Sequence, residues 1–247
     1  MEPLDRSSRG KPPESFEMTG ARYLGVGPGP KTRDGCSVEL YLRLPYRGEV
    51  ALIERYIPEA GSVLELGCGV GRVTRELLAH GYRVTAVDNS PEMLAHVPAG
   101  ATTICANIES LAIDEKFDAV ILASCLINTP DTALRQAQLT RCRELMKPAG
   151  RLLIERFDPA WLANVQAGPL DGIGNVSMSV DEARGSGSIR ELCLRYRDGE
   201  DEWLQYFAAA ILEDEDIRRC LSSAGFEAPD WINRRWASVR YATAIRA

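Results

Sequence analysis

Between Gly61 and Phe157 the chain alternates short aliphatic runs with helical patterns, and this rhythm limits its possible folds more than any other feature. "SVLEL" is a β-branched and aliphatic strand, "VGRVTRELLAHG" a helix closed by Gly81, and "YRVTAVD" the next strand. "SPEMLAHV" opens a helix with Ser90 as N-cap and Pro91 at the first helical position. "ATTICA", "FDAVILAS" and "RLLIERF" read as further strands, the last preceded by "DTALRQAQLTRCRELMKPAG", a long helix ending near Pro148 and Gly150. Strands joined through helices run the same way along a sheet, so the rhythm predicts a parallel sheet covered on both faces.

The flanks follow other patterns. After Phe157 come a short helix, "DPAWLANV", and three alternating segments, "NVSMSVDEA", "SIRELCLRYR" and "DEWLQYFAAAIL". Their separators, "RGSGS" and "RDGED", are hairpin-like and predict a three-stranded antiparallel meander. Its inward positions are expected to include Met178, Leu192, Leu194, Trp203, Tyr206 and Phe207, a set able to roof a pocket, form a dimer surface or simply fill a core. "DEDIRRCLSSAG" predicts a helix ending at Gly225, and "FEAPDWI" and "WASVRYATAIR" two closing strands. At the other end "MEPLDRSSRGKPPESFE" is polar and expected to be mobile, "YLGVGPGPKTRDG" a loop, and "SVELYLRLPY" an extended piece leading into an amphipathic helix from about Tyr46 to Tyr56.

The resulting plan is an α/β fold: a Rossmann-like, mostly parallel, seven-stranded sheet with helices on both faces, and the meander inserted after its fifth strand. Residues 1–44 form an arm and N-terminal cover, 45–157 the ligand-binding core, 158–212 the meander, and 213–247 the last helix and final strand pair.

Composition narrows the partners. A net charge of −6 over 247 residues does not suit a protein whose main partner is the nucleic-acid backbone. Seven cysteines without a C-x-x-C pair, and no apolar leader, suggest reduced thiols in the cytoplasm. No apolar run is long enough for a membrane span.

"SVLELGCGVGR" carries the most chemistry. A dinucleotide turn needs glycine at the position of Arg72, where the helix packs against the strand, and its pyrophosphate would not favour Glu65 nearby. Gly67, Gly69 and Gly71 still allow a tight turn with backbone open to a ligand. Glu65 favours a cationic ligand by Coulomb attraction. Asp88, at the end of "YRVTAVD", stands where a carboxylate accepts ribose hydroxyls.

These motifs resemble the class I S-adenosylmethionine-dependent methyltransferases, whose first motif, E-x-G-x-G-x-G, is met by Glu65, Gly67, Gly69 and Gly71. The resemblance implies S-adenosylmethionine as cofactor, whose methionyl end is cationic. It implies a binding set of Tyr41, Glu65, Gly67, Cys68, Gly69, Gly71, Asp88, Asn89, Met93, Asn107, Ile108, Ala123 and Ser124. Asn107 takes the place of the family's usual acid beside the adenine amine, and Ile108 packs on the ring.

For the acceptor, Glu155, Asp158 and Tyr46 are the candidate catalytic residues, grouped at the end of "RLLIERF" and in the N-terminal cover. His80 and His96 fall in predicted helices and are not assigned to catalysis. No metal cluster is evident. The expected acceptor is a small molecule methylated on oxygen or nitrogen, plausibly in secondary metabolism. The alternatives are a peptide terminus and a non-catalytic cofactor-binding module; a homodimer is possible. A nicotinamide-dependent oxidoreductase is disfavoured by Arg72.

Overall fold

The computed structural model describes residues 23–241. The chain enters through β1 (Tyr23–Val26), then α1 (Val38–Arg43) and α2 (Glu49–Ile53). The α/β alternation follows: β2 (Ser62–Leu66), α3 (Arg72–Ala79), β3 (Arg83–Asp88), α4 (Pro91–Leu94), β4 (Thr102–Cys105), β5 (Phe117–Leu122), α5 (Thr132–Glu144) and β6 (Met146–Glu155). Next come α6 (Pro159–Asn164), β7 (Gly168–Ile173), β8 (Val176–Arg184), β9 (Ile189–Asp198) and β10 (Asp201–Ala210). The described chain closes with α7 (Asp214–Ser223), β11 (Asp230–Trp231) and β12 (Trp236–Val239).

One sheet has seven strands in the order β11-β12-β6-β5-β2-β3-β4. Strands β2 to β6 pair in parallel, while β12 runs antiparallel to both β6 and β11. The chain winds outward from β2 through β3 to β4, then restarts on the other side at β5, so β2 and β5 flank the switch point where such sheets bind ligands.

Period-two alternation divides the core between the two faces. Leu64, Leu66, Val120, Leu122, Leu152 and Ile154 pack in one cluster with Leu139 of α5 and Ile217 of α7. Val63, Ala119, Ile121 and Leu153 pack in the other, with Val50 and Ile53 of α2 and Val73 and Leu77 of α3. Glu65 alternates with Leu64 and Leu66, which aims its carboxylate at α3.

The second sheet is larger than a three-stranded meander. β7 pairs with β8, and β1 from the N-terminal side pairs with β10, giving the order β1-β10-β9-β8-β7. Its inner face carries Leu192, Leu194, Tyr196 and Trp203, with Met178 and Phe207 against them. Tyr206 lies on the opposite face with Cys193 and Leu204, because neighbours along a strand point opposite ways and Phe207 takes the inner position.

Two other expectations are corrected. "SVELYLRLPY" forms α1 rather than an extended piece, and α2 with its following 3₁₀ turn occupies only Glu49–Tyr56. α5 ends at Glu144, before Pro148, and Met146 already pairs with Phe117; a register shift between Phe117 and Ala119 absorbs the irregularity. The arm expected over the first residues lies outside the described residues, as does the end of the last strand. Among the described residues no helix is long and apolar enough to cross a membrane.

Candidate functional site

The glycine turn is folded under the end of β3. Gly67 N–H and Cys68 N–H both donate to the Val87 carbonyl, at 2.8 and 3.0 Å, and Gly69 N–H donates to Asp88 Oδ2 at 2.8 Å. The second Asp88 oxygen accepts the Ser90 N–H at 2.9 Å. Each carboxylate oxygen keeps a further lone pair for a ligand hydroxyl. Burial raises the Asp88 pKa above the ordinary carboxylate value, against the pull of the Ser90 and Gly69 amides.

Two glycines are favoured by their left-handed backbone, and one of them, Gly67, also by space. Gly67 holds φ +69°, and a Cβ there would lie 2.5 Å from Leu126 Cδ1. Gly69 holds φ +55°, with Tyr41 and Met93 bounding the side where its Cβ would point. Tyr41 and Met93 belong to one small cluster with Val38 and Val70, so the N-terminal cover packs onto the turn. Arg72 begins α3 and pairs with Glu49 at 2.5 Å, filling with a charged group the place a dinucleotide turn keeps bare.

Glu65 is 3% exposed and its Oε2 accepts the Thr74 hydroxyl at 2.5 Å. Burial pushes its pKa up to about 7, only partly offset by the Thr74 bond and the nearby Arg72 charge. Farther along the edge, Asn89 Nδ2 donates to Asn107 Oδ1 at 3.1 Å, and Ile108 is buried beside them in sequence. The residues expected to hold the cofactor thus gather at the C-terminal ends of β2, β3, β4 and β5. The donor set suits a ribose at Asp88 and a cationic group near Glu65, and its turn does not suit a pyrophosphate.

The three acceptor-side candidates do not gather in the same way. The Tyr46 phenol oxygen accepts the Val50 and Ala51 amides at 2.8 and 3.2 Å, tying down the start of α2. Asp158 caps α6, accepting the Ala160 N–H at 2.9 Å, and stands 3.6 Å from Arg234. It lines a groove of about 440 Å³ together with Arg156, Asp214 and Trp231, and no wall of that groove comes from the glycine turn. Glu155 is 8% exposed; it accepts the Ser124 N–H at 2.8 Å and pairs with Arg235 at 2.5 Å. Burial raises its pKa, with Arg235 opposing.

The loop after β5 carries the expected Ser124 and, beside it, Cys125 and Asn128, which the sequence does not mark out. Ser124 and Cys125 are consecutive non-glycine residues at φ +55° and +56°, each at a cost of order 1–3 kcal/mol. Asn128, 2% exposed, donates to the Ala210 carbonyl at 2.8 Å and accepts the Phe157 N–H at 2.9 Å, bolting this loop to β10 and to the end of β6. Phe157 in turn stacks on Trp161 and Phe207 at 5.8 and 5.9 Å, so the second sheet reaches the rim of the first. The pairing of Glu155 with a residue 80 positions away left no local sequence signal.

Comparison with known proteins agrees with this geometry. Residues 63–150 match the family model described as a methyltransferase domain. A ubiquinone biosynthesis O-methyltransferase of Xylella fastidiosa is 32% identical over 43% of this chain and 46% of its own length. The putative methyltransferase YqeM of Bacillus subtilis is 29% identical over 51% of this chain and 55% of its own. The chain therefore spans about half the length of the curated relatives it matches. The CcbJ methyltransferase of Streptomyces caelestis superposes with a TM-score of 0.69 at 18% identity, covering 83% of this chain and 96% of that one. The sugar N-methyltransferase KedS8 of Streptoalloteichus sp. superposes with a TM-score of 0.65 at 21% identity, covering 87% and 98%. Residues 63–150 are thus similar to a methyltransferase domain, and the fold around them is that of solved methyltransferases.

Proposed function

We propose that the protein transfers a methyl group from S-adenosylmethionine to a nitrogen or oxygen of a small molecule. The observation that carries this reading is the glycine turn closed by the 2.8 Å bond from Gly69 N–H to Asp88, directly beside the loop that ends β5. When bound, the cofactor supplies an electrophilic sulfonium methyl, which is most of the reactivity required.

The chain's own residues do the rest. Asp88 accepts the ribose hydroxyls, Asn89, Asn107 and Ile108 border the adenine, and Met93 and Tyr41 close over the turn. Cys68 and Gly71 complete that turn, and Ala123 and Ser124 present backbone toward the reacting end. Glu65 places a carboxyl group below the methionyl group, whose cationic end favours the ionised form against the burial that raises its pKa. The second sheet, with Phe157, Trp161 and Phe207 stacked at its rim, excludes water above the acceptor. Positioning of this kind is enough for an amine that is neutral near physiological pH, so transfer needs no histidine base.

A small acceptor is favoured over a cationic peptide because five acidic residues of the second sheet are already paired with arginines. Arg195 bridges Asp181 and Glu202, Arg43 bridges Asp198 and Asp201, and Arg184 holds Glu182. Structural neighbours described as a sugar N-methyltransferase and as an amino pentose methyltransferase of calicheamicin biosynthesis support an amino-bearing, hydroxyl-rich acceptor and a place in secondary metabolism. A cytoplasmic location belongs to the same reading. The experiment is incubation with methyl-labelled S-adenosylmethionine and a panel of amino sugars, phenols and peptides, followed by mass spectrometry. Label in an amino or hydroxyl compound supports the proposal; label only in peptides, or no label with bound cofactor, favours the peptide or non-catalytic alternative.

A further inference from the structure

The loop following β5 lies where a ligand of this sheet presents its reacting end, because β5 is the strand beside β2 and its glycine turn. Its first residues, Ser124 and Cys125, hold a left-handed backbone that a residue with a Cβ adopts only when its surroundings over-determine it. The contacts that do so converge on one carboxylate. Glu155 Oε2 accepts the Ser124 N–H at 2.8 Å, Glu155 Oε1 takes Arg235 Nη2 at 2.5 Å, and the same guanidinium lies 3.9 Å from Cys125 Sγ.

Arg235 is itself anchored from a different part of the fold. Its N–H donates to Asn233 Oδ1 at 2.8 Å, and its carbonyl accepts the Arg156 N–H at 2.8 Å. The turn so held leads directly into Leu126, whose side chain occupies the space above Gly67. A change at Glu155 is therefore transmitted through two residues to the surface of the glycine turn.

We propose that the Glu155–Arg235 pair is a latch that holds Ser124 and Cys125 left-handed and thereby positions the acceptor-facing rim of the methyl-transfer site. This role rests on the methyl-transfer reading of that site. Glu155 is then a positioning residue: both its oxygens face donors of the protein, an amide on one side and a guanidinium on the other. It is not the group that takes a proton from the acceptor.

The test uses the full chain carrying Glu155→Ala, with and without Ser124→Gly. Glycine enters the left-handed region freely, and Ser124 is exposed, so its replacement sacrifices little packing. Glu155→Ala is expected to speed hydrogen exchange of the Ser124 amide by about tenfold or more and to lower kcat by a similar factor, with affinity for S-adenosylhomocysteine falling by much less. Adding Ser124→Gly is expected to restore part of kcat, roughly threefold or more, by removing the strain the latch opposes. An unchanged Ser124 exchange rate in Glu155→Ala, or an equal loss of kcat with and without Ser124→Gly, overturns the latch. If Glu155→Ala does not fold, Arg235→Lys and Arg235→Met serve: the lysine is expected to keep kcat and Ser124 protection, and loss of both with lysine overturns the proposal. A wild-type chain that methylates no acceptor refutes the functional reading, and the Ser124 exchange comparison still decides the latch.

Discussion

Asp88 and Gly69 are joined by a 2.8 Å hydrogen bond from the Gly69 amide to the Asp88 carboxylate, across the gap between the glycine turn and the end of β3. One acid thus fixes the turn and, in the function proposed above, also faces the ribose. Its second oxygen, on the Ser90 amide, sets the start of α4 as well. The turn, the neighbouring strand end and the helix beyond it are consequently one unit.

Asp88→Ala removes both the turn contact and the ribose acceptors. Hydrogen bonds to a charged partner contribute about 1.5–3 kcal/mol each, so affinity for S-adenosylhomocysteine is expected to fall by about 10- to 100-fold. Titration calorimetry measures this, and an affinity equal to wild type removes Asp88 from the cofactor site.

Glu65 gives a pH signature. The folded chain holds the Glu65 proton up to about pH 7, whereas the ordinary value is 4.5, so between these values the folded state binds more protons than the unfolded one. Stability contributed by protonated Glu65 is full below about pH 4.5 and is lost as pH rises through about 7. Glu65→Gln, which keeps the shape without the ionisation, should flatten that fall by on the order of 1–3 kcal/mol in denaturation curves at pH 5 and 8. An identical pH dependence in both proteins would contradict a buried, proton-holding Glu65.

Asn128→Ala strands the Ala210 carbonyl and the Phe157 amide at a site where Asn128 is 2% exposed. Two buried groups left without partners cost roughly 2–4 kcal/mol, read as a lower denaturation midpoint. A wild-type midpoint would mean that the two sheets are held together without this bridge.

Gly67→Ala combines a strained φ of +69° with a Cβ placed 2.5 Å from Leu126 Cδ1. Leu126 has to move, and both stability and S-adenosylhomocysteine affinity are expected to fall. Leu126→Ala in the same chain should recover part of the affinity by opening the space, and the absence of any recovery would show that backbone strain alone sets the loss.

The glycine turn and Asp88 were legible because each depends on spacing within one short segment and on where that segment ends. The strands of the larger sheet are legible for the same reason: residues such as Val63, Leu64 and Leu66 form a short apolar run buried on both faces. α1 was misread because Val38, Leu40 and Leu42 alternate like a strand, yet Leu42 is 48% exposed and only the first two are buried. Tyr206 takes the face opposite Phe207, because two neighbours along one strand cannot share a face. Glu155 was singled out from its place at a strand end, but its occupation by Ser124 and Arg235 depends on contacts across 31 and 80 residues. Long-range pairing of that kind has no local period to betray it.

The most direct measurement is thermal unfolding of the wild-type chain with saturating S-adenosylhomocysteine and, separately, with NAD. A ligand that binds only the folded state raises the Tm by an amount that grows with the logarithm of its concentration over its Kd. A Tm raised by several degrees with S-adenosylhomocysteine and unmoved by NAD is the expected result; no shift with S-adenosylhomocysteine, or a shift with NAD alone, would contradict a methyl-donor site at Glu65, Gly67, Gly69 and Asp88.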